Sequence, residues 1–171
     1  ISVRQHAAAS IAVVGNPNSG KSTLFNRLTG LRQKTGNYPG VTVERREGAV
    51  ALGDRQALVV DLPGTYSLDA ISADEAIVSR AIDDRIEGVE PPDALVVVLD
   101  ACSLERSLLL AGQVIRRGRP TCVVLTMIDE LEARGGVVDY QRLEAALGVP
   151  VVAVVGHRGR GLDRLRELLE Q

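Results

Sequence analysis

The apolar residues of this chain fall into strand-length blocks set between stretches of helical period. Residues 11–14, 94–100, 121–126 and 151–155 hold near-continuous runs such as Leu95-Val96-Val97-Val98-Leu99 and Cys122-Val123-Val124-Leu125. A run without alternation needs both faces of its strand covered, as in a parallel sheet lying between helices. Apolar spacings of three and four predict helices over 21–29, 72–86, 104–117, 140–147 and 162–169. Residues 43–52 and 57–61 are strand-like and flank Gly53-Asp54, which predicts an edge hairpin. The stretch 31–40 has no apolar period and carries Gly36, Pro39 and Gly40, so it reads as a loop. The expected fold is α/β: a mostly parallel, six-stranded sheet with helices on both faces. No internal repeat or low-complexity linker is visible in the pattern.

Composition narrows this picture. A chain of 171 residues is enough for one domain with a real core, here expected over 11–171 behind a short extension at 1–10. A net charge of −2 gives no electrostatic case for nucleic acid. With one Phe and three Tyr, the core must be aliphatic. Cys102 and Cys122 lack paired spacing and metal-ligand neighbours, so they read as small apolar residues rather than iron ligands. The longest apolar runs are too short to span a bilayer, so direct membrane insertion is not expected. The alanine-rich segment 5–10 lacks the apolar region of a secretion signal. An opening at Ile1 rather than Met suggests an excised or processed piece.

Chemistry enters after the first apolar run. Gly15-Asn16-Pro17-Asn18-Ser19-Gly20-Lys21-Ser22 reads G-x-x-x-x-G-K-S, between a predicted strand and a predicted helix beginning Lys21-Ser22-Thr23. In that setting it is a phosphate-binding loop of the P-loop NTPase type, with backbone N–H groups turned toward an anion. Lys21 carries charge for the β- and γ-phosphates, Ser22 is placed to ligate Mg²⁺, and the helix N-terminus favours the same anion. Asp61-Leu62-Pro63-Gly64 closes a second apolar run. In an open α/β sheet that end of a strand faces the ligand crevice. Asp61 is therefore expected as a Mg²⁺ carboxylate and the Gly64 N–H as a γ-phosphate donor. Thr42, at the end of the 31–40 loop, is suited to reach Mg²⁺ and the γ-phosphate, or is simply a β-branched residue opening the next strand.

Three segments in order carry a resemblance to a family. They are the loop 15–26, then Asn37-Tyr38-Pro39-Gly40-Val41-Thr42-Val43-Glu44, then Asp61-Leu62-Pro63-Gly64-Thr65-Tyr66-Ser67-Leu68. The chain from Ile11 onward resembles the G domain of FeoB, the bacterial ferrous iron transport protein B. The resemblance implies a Ras-like G domain that binds GTP and GDP, needs Mg²⁺, and hydrolyses GTP. It implies segments 31–42 and 61–71 as conformational switches that report to a membrane iron-permease domain, at the cytoplasmic face of the bacterial membrane. It also implies that Asn18 holds K⁺ beside the phosphates; the alternative for Asn18 is a turn-forming role. Self-association is left open.

Base recognition departs from the family pattern. GTPases carry Asn-x-x-Asp after this strand, the Asp accepting from guanine N1 and N2 and the Asn supporting N7 and the phosphate loop. Here the segment is Thr126-Met127-Ile128-Asp129, so Asp129 is kept while Thr126 is expected to weaken the clamp. Losing one hydrogen bond costs about 1–2 kcal/mol. The second base loop is Gly156-His157-Arg158; a Gly156 N–H remains available to the base, and His157 either stacks on it or is a solvated loop residue. Thr65 stands where Ras-like enzymes place glutamine, and Arg45 and Arg46 are expected as strand-surface charge rather than an arginine finger. Intrinsic turnover is accordingly expected to be slow. Two functions remain open: a slow, K⁺-stimulated GTPase, or a nucleotide-sensing module with relaxed guanine specificity and little hydrolysis. A ribosome- or tRNA-associated GTPase is disfavoured by the switch segments and the acidic balance. The resemblance implies helical and membrane domains after the G domain, and residues 11–171 are expected to hold the G domain without them.

Overall fold

Residues in the middle of the sheet show why their apolar runs carry no alternation. In the computed structural model, which describes residues 9–30, 33–69, 72–83, 85–155 and 159–171, strand β1 (Ala9–Gly15) lies parallel between β4 (Arg55–Asp61) and β5 (Ala94–Asp100). Leu95, Val97 and Leu99 of β5 pack into one aliphatic cluster, and Val96 and Val98 into another on the opposite face. Each side chain is removed from water whichever way it points, so hydrophobic transfer rewards every position of the strand. Beyond β5 come β6 (Thr121–Thr126) and β7 (Val151–Ala153), both parallel.

On the other side, β3 (Glu44–Leu52) runs antiparallel to β4 around Gly53-Asp54, with Leu52 paired to Arg55. That hairpin is as expected, but it is not the edge. An extra strand, β2 (Gln33–Asn37), pairs antiparallel with β3 and lies outermost. The sheet thus has seven strands in the order β2-β3-β4-β1-β5-β6-β7, not six. Backbone pairing rather than burial forms β2, because four of its five residues are exposed. Its polar sequence therefore leaves no hydropathy signal inside the expected 31–40 loop.

Helices cover both faces. Leu24, Phe25 and Leu28 of α1 (Lys21–Thr29) and Leu162 and Leu165 of α6 (Leu162–Glu170) seal one face. The other is covered by α2 (Ala73–Ile82), α3 (Leu104–Ile115), α4 (Ile128–Ala133) and α5 (Tyr140–Leu147). Ser72 caps α2 by accepting from the Glu75 N–H at 3.3 Å, and Asp139 caps α5 by accepting from the Arg142 N–H at 3.1 Å. The second helix stops at Ile82, short of the expected residue 86. Its last carbonyl, on Ile82, accepts from Arg119 Nε at 3.0 Å. The third helix likewise ends at Ile115 rather than 117. The last strand ends at Ala153 rather than 155; the Val155 N–H donates instead to the Arg160 carbonyl at 3.0 Å. The short α4 is not in the sequence expectation. Among the described residues no helix is long and apolar enough to cross a membrane.

Candidate functional site

The loop Gly15–Ser22 leaves the C-terminal end of β1 and enters α1 through Gly20, whose φ of 87° lies in the left-handed region that an L side chain resists. Ser19 N–H donates to the Asn16 carbonyl at 3.3 Å, and Asn18 at the exposed tip has φ 61°. Asn16 is buried, and its amide donates to Ser107 Oγ on α3 at 3.3 Å. Pro17, Asn18, Ser22 and Thr23 are exposed, whereas Ser19 and Lys21 are buried. No acidic residue occupies the first turn of α1. The helix N-terminus and its loop are thus open to an anion from outside the chain.

Asp61 ends β4 beside this loop. Its carboxylate Oδ1 accepts from Lys21 Nζ, and Oδ2 lies 3.6 Å from Arg46 of β3. Lys21 and Asp61 are buried, 8% and 6% exposed, so this ion pair is largely shielded from water. Arg46 is cross-strand partner to Asp61. It also donates to Gln33 Oε1 at 3.0 Å and Asn26 Oδ1 at 3.3 Å, and its guanidinium sits 5.2 Å from the centre of the Phe25 ring. The expectation of Arg46 as plain surface charge is corrected: it links β2, α1 and the acid at the end of β4. Gly64 follows, packed so closely on Pro17 that an added Cβ would come within 3.1 Å of the Pro17 backbone. The Thr65 N–H donates to the Gly15 carbonyl at 3.0 Å. The segment after Asp61 is therefore stitched directly to the phosphate loop.

A pocket of about 170 Å³ opens on the other side of the loop, lined by Gly20, Thr23, Leu24, Thr126, Met127, Asp129, Val154 and Val155. Met127, with φ 59°, turns the chain from β6 into α4 and sets Asp129 in that helix's first turn. Thr126 is buried, and its hydroxyl donates to the Ser19 carbonyl of the phosphate loop. The shorter residue therefore still reaches the phosphate-loop backbone. Gly156, His157 and Arg158 lie outside the described residues.

The sequence profile described as Ferrous iron transport protein B matches residues 9–169. The chain belongs to this FeoB family. It is 46% identical over 162 residues to the Fe(2+) transporter FeoB of Leptospira biflexa, covering 95% of this chain and 23% of that protein. Against the Fe(2+) transporter FeoB of Salmonella typhimurium the identity is 45%, covering 95% of this chain and 21% of the relative. The chain therefore spans less than a quarter of the curated FeoB transporters it matches. Among solved structures, the cytosolic domain of L. pneumophila FeoB superposes with a TM-score of 0.88 at 42% identity, covering 94% of this chain and 62% of that one. The G domain of the T. maritima FeoB superposes at 0.85 with 35% identity, covering 95% and 97%. A GDP-bound NFeoB variant of S. thermophilus gives 0.83 at 40% identity, covering 94% and 61%. The fold is the α/β P-loop fold of the FeoB G domain.

Within this FeoB G-domain fold, the described site residues on β1, β4 and β6 and in the loops that follow them gather at the C-terminal ends of these strands, and Thr42, just before β3, is exposed. Two features gave no sequence signal. The segment 66–69 is fastened to α3: Arg106 stacks 4.3 Å from the Tyr66 ring centre, and Gln113 Oε1 accepts from the Leu68 N–H at 2.7 Å. Gln113 Nε2 donates to Asp69 at 3.1 Å. Tyr38, in the segment before Thr42, is buried against Val60, Leu62 and α2; among the described residues its hydroxyl has no hydrogen-bond partner, and burial pushes its pKa up to about 12. Both cysteines are free thiols. Cys122 is buried, and burial pushes it up to about 12. Among the described residues no group of three or more His, Cys, Asp or Glu could hold a metal by itself.

Proposed function

We propose that this chain binds GTP and GDP and hydrolyses GTP slowly, as the cytosolic G domain of a ferrous iron transporter. The observation that carries the reading is the convergence of a phosphate loop, a buried Lys21–Asp61 pair and a pocket holding Asp129 at the C-terminal ends of the parallel strands. The GDP-bound state of the S. thermophilus relative supports it. In this reading the amides of residues 15–22 and the dipole of α1 receive the phosphates. Lys21 Nζ leaves Asp61 for the β- and γ-phosphate oxygens, exchanging one anionic partner for another. Thr42 moves in from its exposed position, and the Gly64 N–H donates to the γ-phosphate.

The hard oxygen donors of Ser22, Thr42 and Asp61 suit Mg²⁺, and Asp61 already draws two cationic side chains to its carboxylate. When bound, Mg²⁺ supplies neutralisation of phosphate charge; the carbonyl oxygen of Asn18 at the loop tip would hold K⁺ for the same purpose. Water adds to the γ-phosphorus, the bond from that phosphorus to the bridging oxygen breaks, and GDP and phosphate leave.

A second reading, a nucleotide-sensing module with little hydrolysis, is favoured by Thr65. It is fully buried, and its hydroxyl donates to the Ser67 carbonyl at 2.6 Å, so it is not free to orient a water. Phosphate release measured with GTP and Mg²⁺ in K⁺ and in Na⁺ separates the two. Turnover in K⁺ several-fold above Na⁺ and lost in Asn18→Ala supports the GTPase. Tight GTP binding without turnover in either salt supports the module. Coupling to an iron permease, at the inner face of the bacterial membrane, is part of the same proposal.

A further inference from the structure

Resting on the reading that the 170 Å³ pocket receives a guanine base, we propose that Thr126 is a positioning and specificity residue which fixes the phosphate loop and leaves purine N7 unread. Thr126 ends β6 at 7% exposure. Its hydroxyl has a single proton, and two carbonyls face it: Ser19 O, to which it donates, and Leu99 O at 3.3 Å. Both are acceptors only, so that proton stays inside the protein. Purine N7 is also only an acceptor, and Thr126 has nothing left to donate to it.

The rest of the side chain is carbon. Its methyl group fills the space beneath the loop, and a Cβ added at Gly20 would come within 3.3 Å of it. What Thr126 shows to the pocket is therefore apolar. Among the described lining residues, Thr23 and Asp129 carry the remaining polar side-chain groups. A carboxylate accepts hydrogen bonds, so Asp129 reads the N1–H and the 2-amino group at the six-membered ring. Of the described lining, Thr126 thus offers the five-membered ring no donor. Specificity is divided accordingly: Asp129 selects guanine over adenine or xanthine, and Thr126 acts on the phosphates through Ser19. The ligand class accepted is guanine nucleotides regardless of whether position 7 is nitrogen or carbon.

The test is displacement of fluorescently labelled GDP from the wild-type chain by GDP, 7-deaza-GDP and xanthosine diphosphate, with Mg²⁺ present. The expected result is equal potency of GDP and 7-deaza-GDP within about twofold, with xanthosine diphosphate at least about tenfold weaker. Thr126→Val, which keeps the shape and removes the proton, should weaken GDP and 7-deaza-GDP by the same factor, roughly tenfold. Thr126→Ser should restore both. A tenfold preference of the wild type for GDP over 7-deaza-GDP would overturn this inference and leave guanine binding intact. Unequal weakening of the two ligands in Thr126→Val would overturn it as well. Failure of labelled GDP to bind the wild type at all would instead remove the pocket assignment, and this inference with it.

Discussion

At the scale of single residues, Lys21 and Tyr38 make opposite predictions. Lys21 is a buried cation paired with Asp61, and in the proposed function it transfers to the phosphates. Lys21→Ala should cost about 2–3 kcal/mol of GTP binding, roughly a hundredfold in affinity by fluorescence titration; unchanged affinity would refute the phosphate-loop assignment. Tyr38 has a buried hydroxyl without a partner among the described residues, so Tyr38→Phe removes an unsatisfied group. It should leave stability unchanged or raise it by up to about 1 kcal/mol in urea unfolding. The pH dependence has a definite sign. Burial raises this phenol from 10.0 to about 12, favouring the neutral form in the fold. The resulting stability is complete below pH 10 and is lost as pH climbs toward 12. Between pH 8 and pH 11 the wild type should therefore lose about 1 kcal/mol more than Tyr38→Phe; parallel losses would contradict the burial.

At the scale of elements, Arg46 fastens the edge strand. It joins β2 through Gln33, α1 through Asn26 and Phe25, and β4 through Asp61. Arg46→Met should lower stability by about 1–2 kcal/mol and speed hydrogen exchange at residues 33–37, leaving β5 and β6 protected. Uniform acceleration across the sheet would mean that Arg46 supports the whole fold rather than β2. This element also marks what the sequence could convey. The central strands were legible because burial on both faces leaves an unbroken apolar run, and the longer helices because their apolar stripes have a helical period. Strand β2 was not, since edge pairing satisfies its backbone while polar side chains stay wet. The six-residue α4 is too short to show a period. Arg46 looked like surface charge because alternation along β3 gives a face, not what that face meets. Thr126 looked like a loss because comparison with Asn counts missing atoms; only the fold reveals that a hydroxyl there reaches Ser19.

At the scale of the whole molecule, the site is built where three parallel strands end and where α1 begins, so ligand binding and folding are linked. GDP with Mg²⁺ at a hundred times its dissociation constant should add about 2.7 kcal/mol. For a chain of this size that raises Tm by roughly 5–10 °C, and ATP at the same concentration should not. In the proposed function the pocket beside the phosphate loop reads guanine through Asp129. A titration of wild type and Asp129→Asn with labelled GDP, competed by xanthosine diphosphate and ADP, measures this. The wild type should prefer GDP over both competitors by at least about tenfold, and Asp129→Asn should turn that preference toward xanthosine diphosphate. An Asp129→Asn protein that keeps the wild-type preference, or a wild type that binds ADP as well as GDP, would contradict the account.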